Sequence, residues 1–126
     1  MPHLIVEYTA NLAPAADIRG LLRKANQVLV AQGVFPTGGI RARAIRLEEW
    51  VVADDADDYA FVHATLKIGA GRAPEVRQKV GDELFAAITA HFAEIYRSRP
   101  LALSLELAEF SEAGTWKQNN IHARFK

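Results

Sequence analysis

The chain's clearest pattern lies in residues 59–74, which read YAFVHATLKIGAGRAP. From Tyr59 to Ile68, apolar residues occupy every second position, and the positions between them are mostly polar. This alternation is typical of a β-strand with one buried face. The glycines that follow predict a turn, and Pro74 suits the first turn of a helix.

The segment after Pro74 predicts that helix. Its apolar positions recur every three or four residues, at Val76, Val80, Leu84, Phe85, Ile88, Phe92 and Ile95. We expect it to continue to Arg99, where Pro100 stops it. Alternating leucines between positions 101 and 107 predict a returning strand. Residues 59–110 therefore form a predicted strand–helix–strand unit.

The first half of the chain shows the same order of elements. Residues 4–8 predict a strand, Pro14 opens a helical pattern, and Gly33 is placed to cap the end of that helix. A second extended segment then runs from Ile40 to about Ala53. We therefore expect one domain, residues 1–126, built by internal duplication: pseudo-repeats at about 2–53 and 59–110, then a tail at 111–126.

Two strand–helix–strand units predict an α/β fold, more specifically an α+β two-layer sandwich. Each unit places its two strands parallel with its helix on one face of the sheet. We expect one four-stranded sheet with two antiparallel helices on that face. The other face carries long side chains such as Tyr59, His63 and Lys67. We expect a second subunit to cover it.

Composition excludes several classes of protein. The 126 residues include 15 Lys+Arg, 15 Asp+Glu and no cysteine, with 50% hydrophobic residues. Balanced charge argues against nucleic acid as a partner, and the absence of cysteine removes thiolate catalysis and cysteine-bound metal. No apolar run is long enough to span a membrane, and the first residues lack the pattern of a secretion signal. We expect a cytoplasmic protein.

Pro2 is the first candidate for catalysis. Removal of Met1 would leave it with a free secondary amine, and α-amino groups titrate at about 8. Burial and nearby cations lower such a pKa further. Because Pro2 shares strand parity with Leu4 and Val6, its ring is expected to face apolar surroundings. A neutral amine at a strand end is suited to act as a general base.

Arginines are the second group of candidates. Arg41 and Arg43 follow the Gly38-Gly39 turn with the same strand parity, and Arg72 follows the equivalent turn in the other half. Guanidinium groups bind carboxylates and stabilise developing enolate charge. No phosphate-binding loop, nucleophile elbow or histidine pair at metal-ligand spacing is present in the sequence. We therefore expect neither a cofactor nor a metal.

The chain resembles the 5-carboxymethyl-2-hydroxymuconate isomerases, a family in the tautomerase superfamily that includes 4-oxalocrotonate tautomerase. The resemblance covers essentially the whole length, beginning at Met1-Pro2-His3. Its most specific stretches are residues 58–63 (DYAFVH), 65–72 (TLKIGAGR) and 117–120 (KQNN), followed by His122-Ala123 and Phe125-Lys126.

The resemblance implies a homotrimer of duplicated units and a reaction without a cofactor. It implies that Pro2 is the base and that Arg41 and Arg72 bind the substrate. The implied substrate is 5-carboxymethyl-2-hydroxymuconate, a small polycarboxylate dienol of homoprotocatechuate (4-hydroxyphenylacetate) degradation, which is converted to its 2-oxo-3-ene isomer.

Two alternatives stay open. One is another proline-based enzyme of the superfamily, either a phenylpyruvate-type tautomerase or a dehalogenase or decarboxylase. The other is a non-catalytic trimeric scaffold without a free amine. A pair of arginines favours a polycarboxylate substrate, and no additional acidic residue stands where it would activate water.

Overall fold

A four-stranded mixed sheet forms one layer of the fold in the computed structural model, which describes residues 1–125. The strands are β1 (His3–Thr9), β2 (Arg41–Leu47), β3 (Ala60–Gly69) and β4 (Leu101–Phe110). Their order across the sheet is β2-β1-β3-β4. β1 pairs parallel with β2, β3 pairs parallel with β4, and the central β1–β3 pair is antiparallel. The predicted pairing of strands within each unit is thus confirmed.

Helices form the second layer. α1 (Ile18–Ala31) packs against β2 and α2 (Pro74–His91), and α2 packs against β4. Buried side chains of the two helices face the alternating apolar residues of the central strands, such as Val6 and Val62. Along β3 the even-numbered residues from Ala60 to Ile68 are buried, as the alternation predicts. The predicted two-layer α+β sandwich is confirmed.

The start of α1 differs from the prediction. Pro14 does not occupy the first helical turn, because the helix begins at Ile18. Asp17 is its N-cap, and the Asp17 side chain accepts a hydrogen bond from the Gly20 backbone N–H at 3.2 Å. A Cβ at Gly20 would collide with the Asp17 carboxylate. The cap and the missing Cβ together place the helix start four residues later than Pro14 suggests. At the other end, Gly33 has a φ of 71°, as expected for a residue that follows a helix.

Two other elements are shorter than predicted. β2 ends at Leu47, because residues 48–59 leave the sheet as an irregular loop. The helix that begins at Pro74 ends at His91, and a short helix, α3 (Ala93–Ser98), follows. Phe92, at the break, is fully buried, while His91 bonds to the Ala16 carbonyl oxygen at 2.6 Å. These two contacts, with the core and with the segment before α1, lie at the break between α2 and α3.

The face of the sheet opposite the helices carries apolar side chains that the described residues leave partly exposed. Ile5 and Phe61 lie on it half-buried, and Ile45 is 46% exposed. None of the helices in residues 1–125 is both long and apolar enough to cross a membrane. The internal duplication of residues 2–53 and 59–110 stays a prediction, and the last residue of the predicted tail, Lys126, lies outside the described residues.

Candidate active site

Pro2 is buried immediately before β1, and burial continues at every second position, at Leu4 and Val6, both almost completely buried. The burial of Pro2 agrees with the apolar surroundings expected from strand parity. The Pro2 carbonyl oxygen accepts a hydrogen bond from the Arg41 backbone N–H at 3.2 Å, which extends the β1–β2 pairing by one residue. The end of the chain is therefore fixed by backbone contacts.

The amino terminus opens into a cavity of about 460 Å³ at the end of the sheet. Residues from the sheet and from the tail form its wall: Met1, His3, Arg41, Lys67, Phe110, Thr115, Trp116, Lys117 and Gln118. The strand register explains the sheet side, since His3 pairs with Arg41 on one neighbour and with Lys67 on the other. The cavity is therefore lined by three cationic side chains, those of Arg41, Lys67 and Lys117.

Arg41 and Arg43, which share strand parity, have different surroundings. The Arg41 Nη1 donates to the Met1 Sδ at 3.2 Å, so its guanidinium faces the amino-terminal residue. The Arg43 Nη1 donates to the His3 Nδ1 at 3.1 Å, and Arg43 is exposed. Arg41 lines the cavity and Arg43 does not.

Arg72 does not line the cavity but lies near one of its lining residues, Phe110, on the other side of Gly69. Its Nη1 donates to the Gly69 carbonyl oxygen at 3.3 Å and its Nη2 to that of Val34 at 2.9 Å. The guanidinium carbon lies 4.7 Å from the centre of the Phe35 ring, a cation–π contact. Because a guanidinium has five N–H donors, these two bonds leave others for a ligand. The backbone carbonyls and the ring hold the group in a defined position.

The charges around the amino terminus affect its protonation. Burial lowers the pKa of the Met1 amine, and the positive charges of Lys117, Arg72 and Arg41 lower it further. The nearby Glu112 carboxylate acts in the opposite direction. The pKa of His3 is also lowered, first by burial and then by Arg43 and Arg41. The site thus disfavours an added proton on either group.

The tail completes the site, although the spacing of its residues predicts no role for any single side chain. The Asn119 Nδ2 donates to the Gly38 carbonyl oxygen at 2.8 Å. A Cβ at Gly38 would lie 2.9 Å from the His122 backbone, so the glycine allows this close approach. Lys117 and Trp116 reach the cavity in consequence. The family resemblance at residues 117–120, at His122-Ala123 and at Phe125-Lys126 is the signal that points to this segment.

A larger groove of about 760 Å³ lies between α2 and β4. Its arginine, Arg77, is paired with Glu109 at 2.7 Å, and Asp82 adds a further negative charge. The groove therefore offers an anion no unpaired cation among its lining residues. The smaller cavity has the cationic charge and is lined by Met1, the residue directly before the candidate base Pro2, which does not itself line it. We assign this cavity as the candidate active site.

Sequence comparison gives the family. The family model for 5-carboxymethyl-2-hydroxymuconate isomerase matches residues 2–125. The chain is 51% identical over 126 residues to the 5-carboxymethyl-2-hydroxymuconate Delta-isomerase of Escherichia coli, and the match covers 100% of both chains.

Structural comparison agrees. A crystal structure of a 5-carboxymethyl-2-hydroxymuconate isomerase from Deinococcus radiodurans R1 is 56% identical, with a TM-score of 0.94, covering 99% of this chain and 94% of that one. A fused 4-OT protein described as a symmetric trimer shares the fold at 19% identity, with a TM-score of 0.70, covering 92% of this chain and 93% of that one. With the full-length family match, these likenesses show that the chain belongs to the 5-carboxymethyl-2-hydroxymuconate isomerase family of enzymes.

Proposed function

We propose that the chain, after removal of Met1, is a cofactor-free isomerase that acts on 5-carboxymethyl-2-hydroxymuconate with Pro2 as the general base. The supporting observation is the position of the amino terminus, which opens into a small cavity beside Arg41 and Lys117. The names of the relatives in Escherichia coli and Deinococcus radiodurans supply the substrate. A negatively charged dienol suits a cavity whose charged lining residues are cationic.

Removal of Met1 has two consequences for this site. It converts the Pro2 nitrogen from an amide, which has no basic lone pair, into a secondary amine. It also frees the Arg41 Nη1, which donates to the Met1 sulfur while that residue is present. One processing step therefore supplies the base and an unoccupied carboxylate-binding group.

The reaction moves one proton and three electron pairs. The Pro2 nitrogen takes the proton from the 2-hydroxyl, and the oxygen forms a carbonyl with carbon 2. The double bond between carbons 2 and 3 moves to carbons 3 and 4, and the electrons of the bond between carbons 4 and 5 take the proton back from Pro2 at carbon 5. The base is regenerated, and no atoms are gained or lost.

Arg41 and Arg72 have the properties needed for the dienolate between the two proton transfers. Arg41 lines the cavity, and Arg72 lies close enough for its charge to lower the pKa of the amino terminus. Fixed cations stabilise negative charge with little reorganisation when that charge develops. We assign them to the substrate carboxylates and to the delocalised oxyanion.

An ultraviolet assay tests the proposal. Protein confirmed by intact mass to lack Met1 is mixed with 5-carboxymethyl-2-hydroxymuconate and, separately, with phenylenolpyruvate. We expect fast loss of the dienol absorbance with the first compound and slow turnover of the second. Preferred turnover of phenylenolpyruvate would favour a phenylpyruvate-type tautomerase, and no turnover of either would favour a non-catalytic role.

The pH profile of kcat/KM gives a second test. The base must be neutral, so activity should rise with pH through the pKa of the Pro2 amine. Because burial and the cations of the site lower the pKa of the amino terminus, this rise should lie at lower pH than the titration of a free peptide that begins at Pro2. A midpoint at or above that of the peptide would contradict the assignment of the base.

We further propose that the chain forms a homotrimer through the partly exposed sheet face opposite the helices and the strand edges. The half-buried Ile5 and Phe61 and the exposed Ile45 lie on that face, and the fused 4-OT protein of the same fold is described as a symmetric trimer. Native mass spectrometry should give three chains per particle.

The cytoplasmic location, the exclusion of nucleic acid and the role in homoprotocatechuate degradation stay predictions.

A further inference from the structure

We infer that Lys117 binds the carboxymethyl carboxylate of the substrate and so selects the tricarboxylate over its dicarboxylate analogue. This inference rests on the proposed function. It gives a residue of the tail a role in substrate specificity, in addition to the roles proposed for Pro2, Arg41 and Arg72.

The substrate has more carboxylates than the two arginines can bind one to one. 5-Carboxymethyl-2-hydroxymuconate carries three carboxylates, whereas Arg41 and Arg72 provide two guanidinium groups. The carboxymethyl group is attached to carbon 5, the atom that receives the proton from Pro2. Since reacting atoms approach to about 3–3.5 Å, its carboxylate must lie close to the Pro2 nitrogen. A third cation is therefore needed near the amino terminus.

Lys117 meets this requirement better than Lys67, the other lysine of the cavity. Lys117 is the cation with the largest effect on the amine of residue 1, ahead of both arginines. Lys67 acts instead on His3. Both lysines line the cavity, but the counterion of Lys117, Glu112, lies against Gly69, where the Arg72 guanidinium also approaches, whereas Lys67 lies opposite His3 in the sheet.

Lys117 also has a counterion that holds it near the cavity. Its Nζ lies 3.2 Å from the Glu112 Oε2, and the two side chains are 42% and 61% exposed. The other Glu112 oxygen lies 3.1 Å from the position of a Cβ at Gly69, so the carboxylate is held against the end of β3. Exposed ion pairs contribute little to stability, and a substrate carboxylate can replace such a partner at low cost.

The experiment compares two substrates in two variants. Lys117→Met removes the charge and keeps the apolar stem, while Lys24→Met removes an exposed lysine of α1 as a matched control. Both are assayed with 5-carboxymethyl-2-hydroxymuconate and with 2-hydroxymuconate, which lacks the carboxymethyl group. The pH is set well above the midpoint of each variant's profile, so that a change in the pKa of the base does not affect the comparison.

We expect Lys117→Met to lower kcat/KM for the tricarboxylate about 10- to 50-fold, the scale of a partly exposed charge-assisted hydrogen bond. The dicarboxylate should change less than about threefold, and Lys117→Arg should recover most of the loss because it keeps the charge. Equal losses on both substrates, or no loss on either, would overturn the inference while leaving the proposed function intact. Failure of the unmodified enzyme to convert either compound would instead overturn the proposed function, and the inference with it.

Discussion

Protein that retains Met1 should convert 5-carboxymethyl-2-hydroxymuconate about 10²- to 10⁴-fold more slowly than protein that begins at Pro2, the range for loss of a positioned general base. In the retained form the Pro2 nitrogen is an amide, and the Met1 sulfur accepts the hydrogen bond of the Arg41 guanidinium. The Met1 amine itself has a lowered pKa but lies one residue before the Pro2 nitrogen in the chain. We expect only residual activity from it.

Both forms can be prepared from one sequence. A fusion cleaved immediately before Met1 gives the retained form, and treatment of that sample with a methionine aminopeptidase gives the matched control. Intact mass establishes the state of each, and the ultraviolet assay gives the rate. Activity should appear in step with the loss of methionine. If the two forms turned over substrate equally, the Pro2 amine would not be the base.

Pro2→Ala provides a graded comparison. After processing it still has a free amine, but a primary one without the ring that fixes its direction. We expect a smaller loss than from retained Met1, about 10- to 100-fold. The far-ultraviolet circular dichroism should be unchanged.

Arg41→Ala should lower kcat/KM for the same substrate about 10²- to 10³-fold, as removal of one donor to a developing oxyanion does in other enzymes. Arg41 contacts the amino-terminal residue through its side chain and Pro2 through its backbone N–H. Alanine keeps the backbone bond that positions Pro2. The loss should therefore come from the guanidinium and not from displacement of the base.

A control on the same strand separates these effects. Arg46 also lies on β2, but its Nε is paired with Glu48 at 2.8 Å and its side chain is about half exposed. Arg46→Ala should leave kcat/KM within about twofold. Arg41→Lys, which keeps the charge without the planar fork, should fall between the unmodified enzyme and Arg41→Ala. Unchanged kinetics in Arg41→Ala would remove this residue from the proposed site.

Several features of the fold were predictable because local spacing decides them. The alternation from Tyr59 to Ile68 matches the pleat of a strand, and that strand is β3. The helical pattern after Pro74 is confirmed, with proline in the first turn of α2. The break at Phe92 was not predictable, because its apolar spacing continues the helical pattern without interruption.

In the candidate site, too, local spacing predicted some features and left others undetermined. Strand parity predicted apolar surroundings for Pro2, which is buried, but parity alone could not separate Arg41 from Arg43. The difference arises because Arg43 pairs with His3 while Arg41 faces Met1. Arg72 was expected near the site. Its hydrogen bond to the Val34 carbonyl oxygen was not predictable, because it joins residues 38 positions apart in the chain.

The order of strands and helices, the buried face of each and the position of a basic candidate at a strand end follow from residues that are close neighbours in the chain. The amino-acid sequence gives the spacing of neighbouring residues directly, so these features can be inferred from the sequence alone. The position of Lys117 beside the amino terminus has a different origin. It depends on the tail packing against the turn at Gly38, through contacts such as the bond from Asn119 across 81 residues. Such a contact forms only when the whole chain has packed, because its free energy depends on the shape and burial of both surfaces.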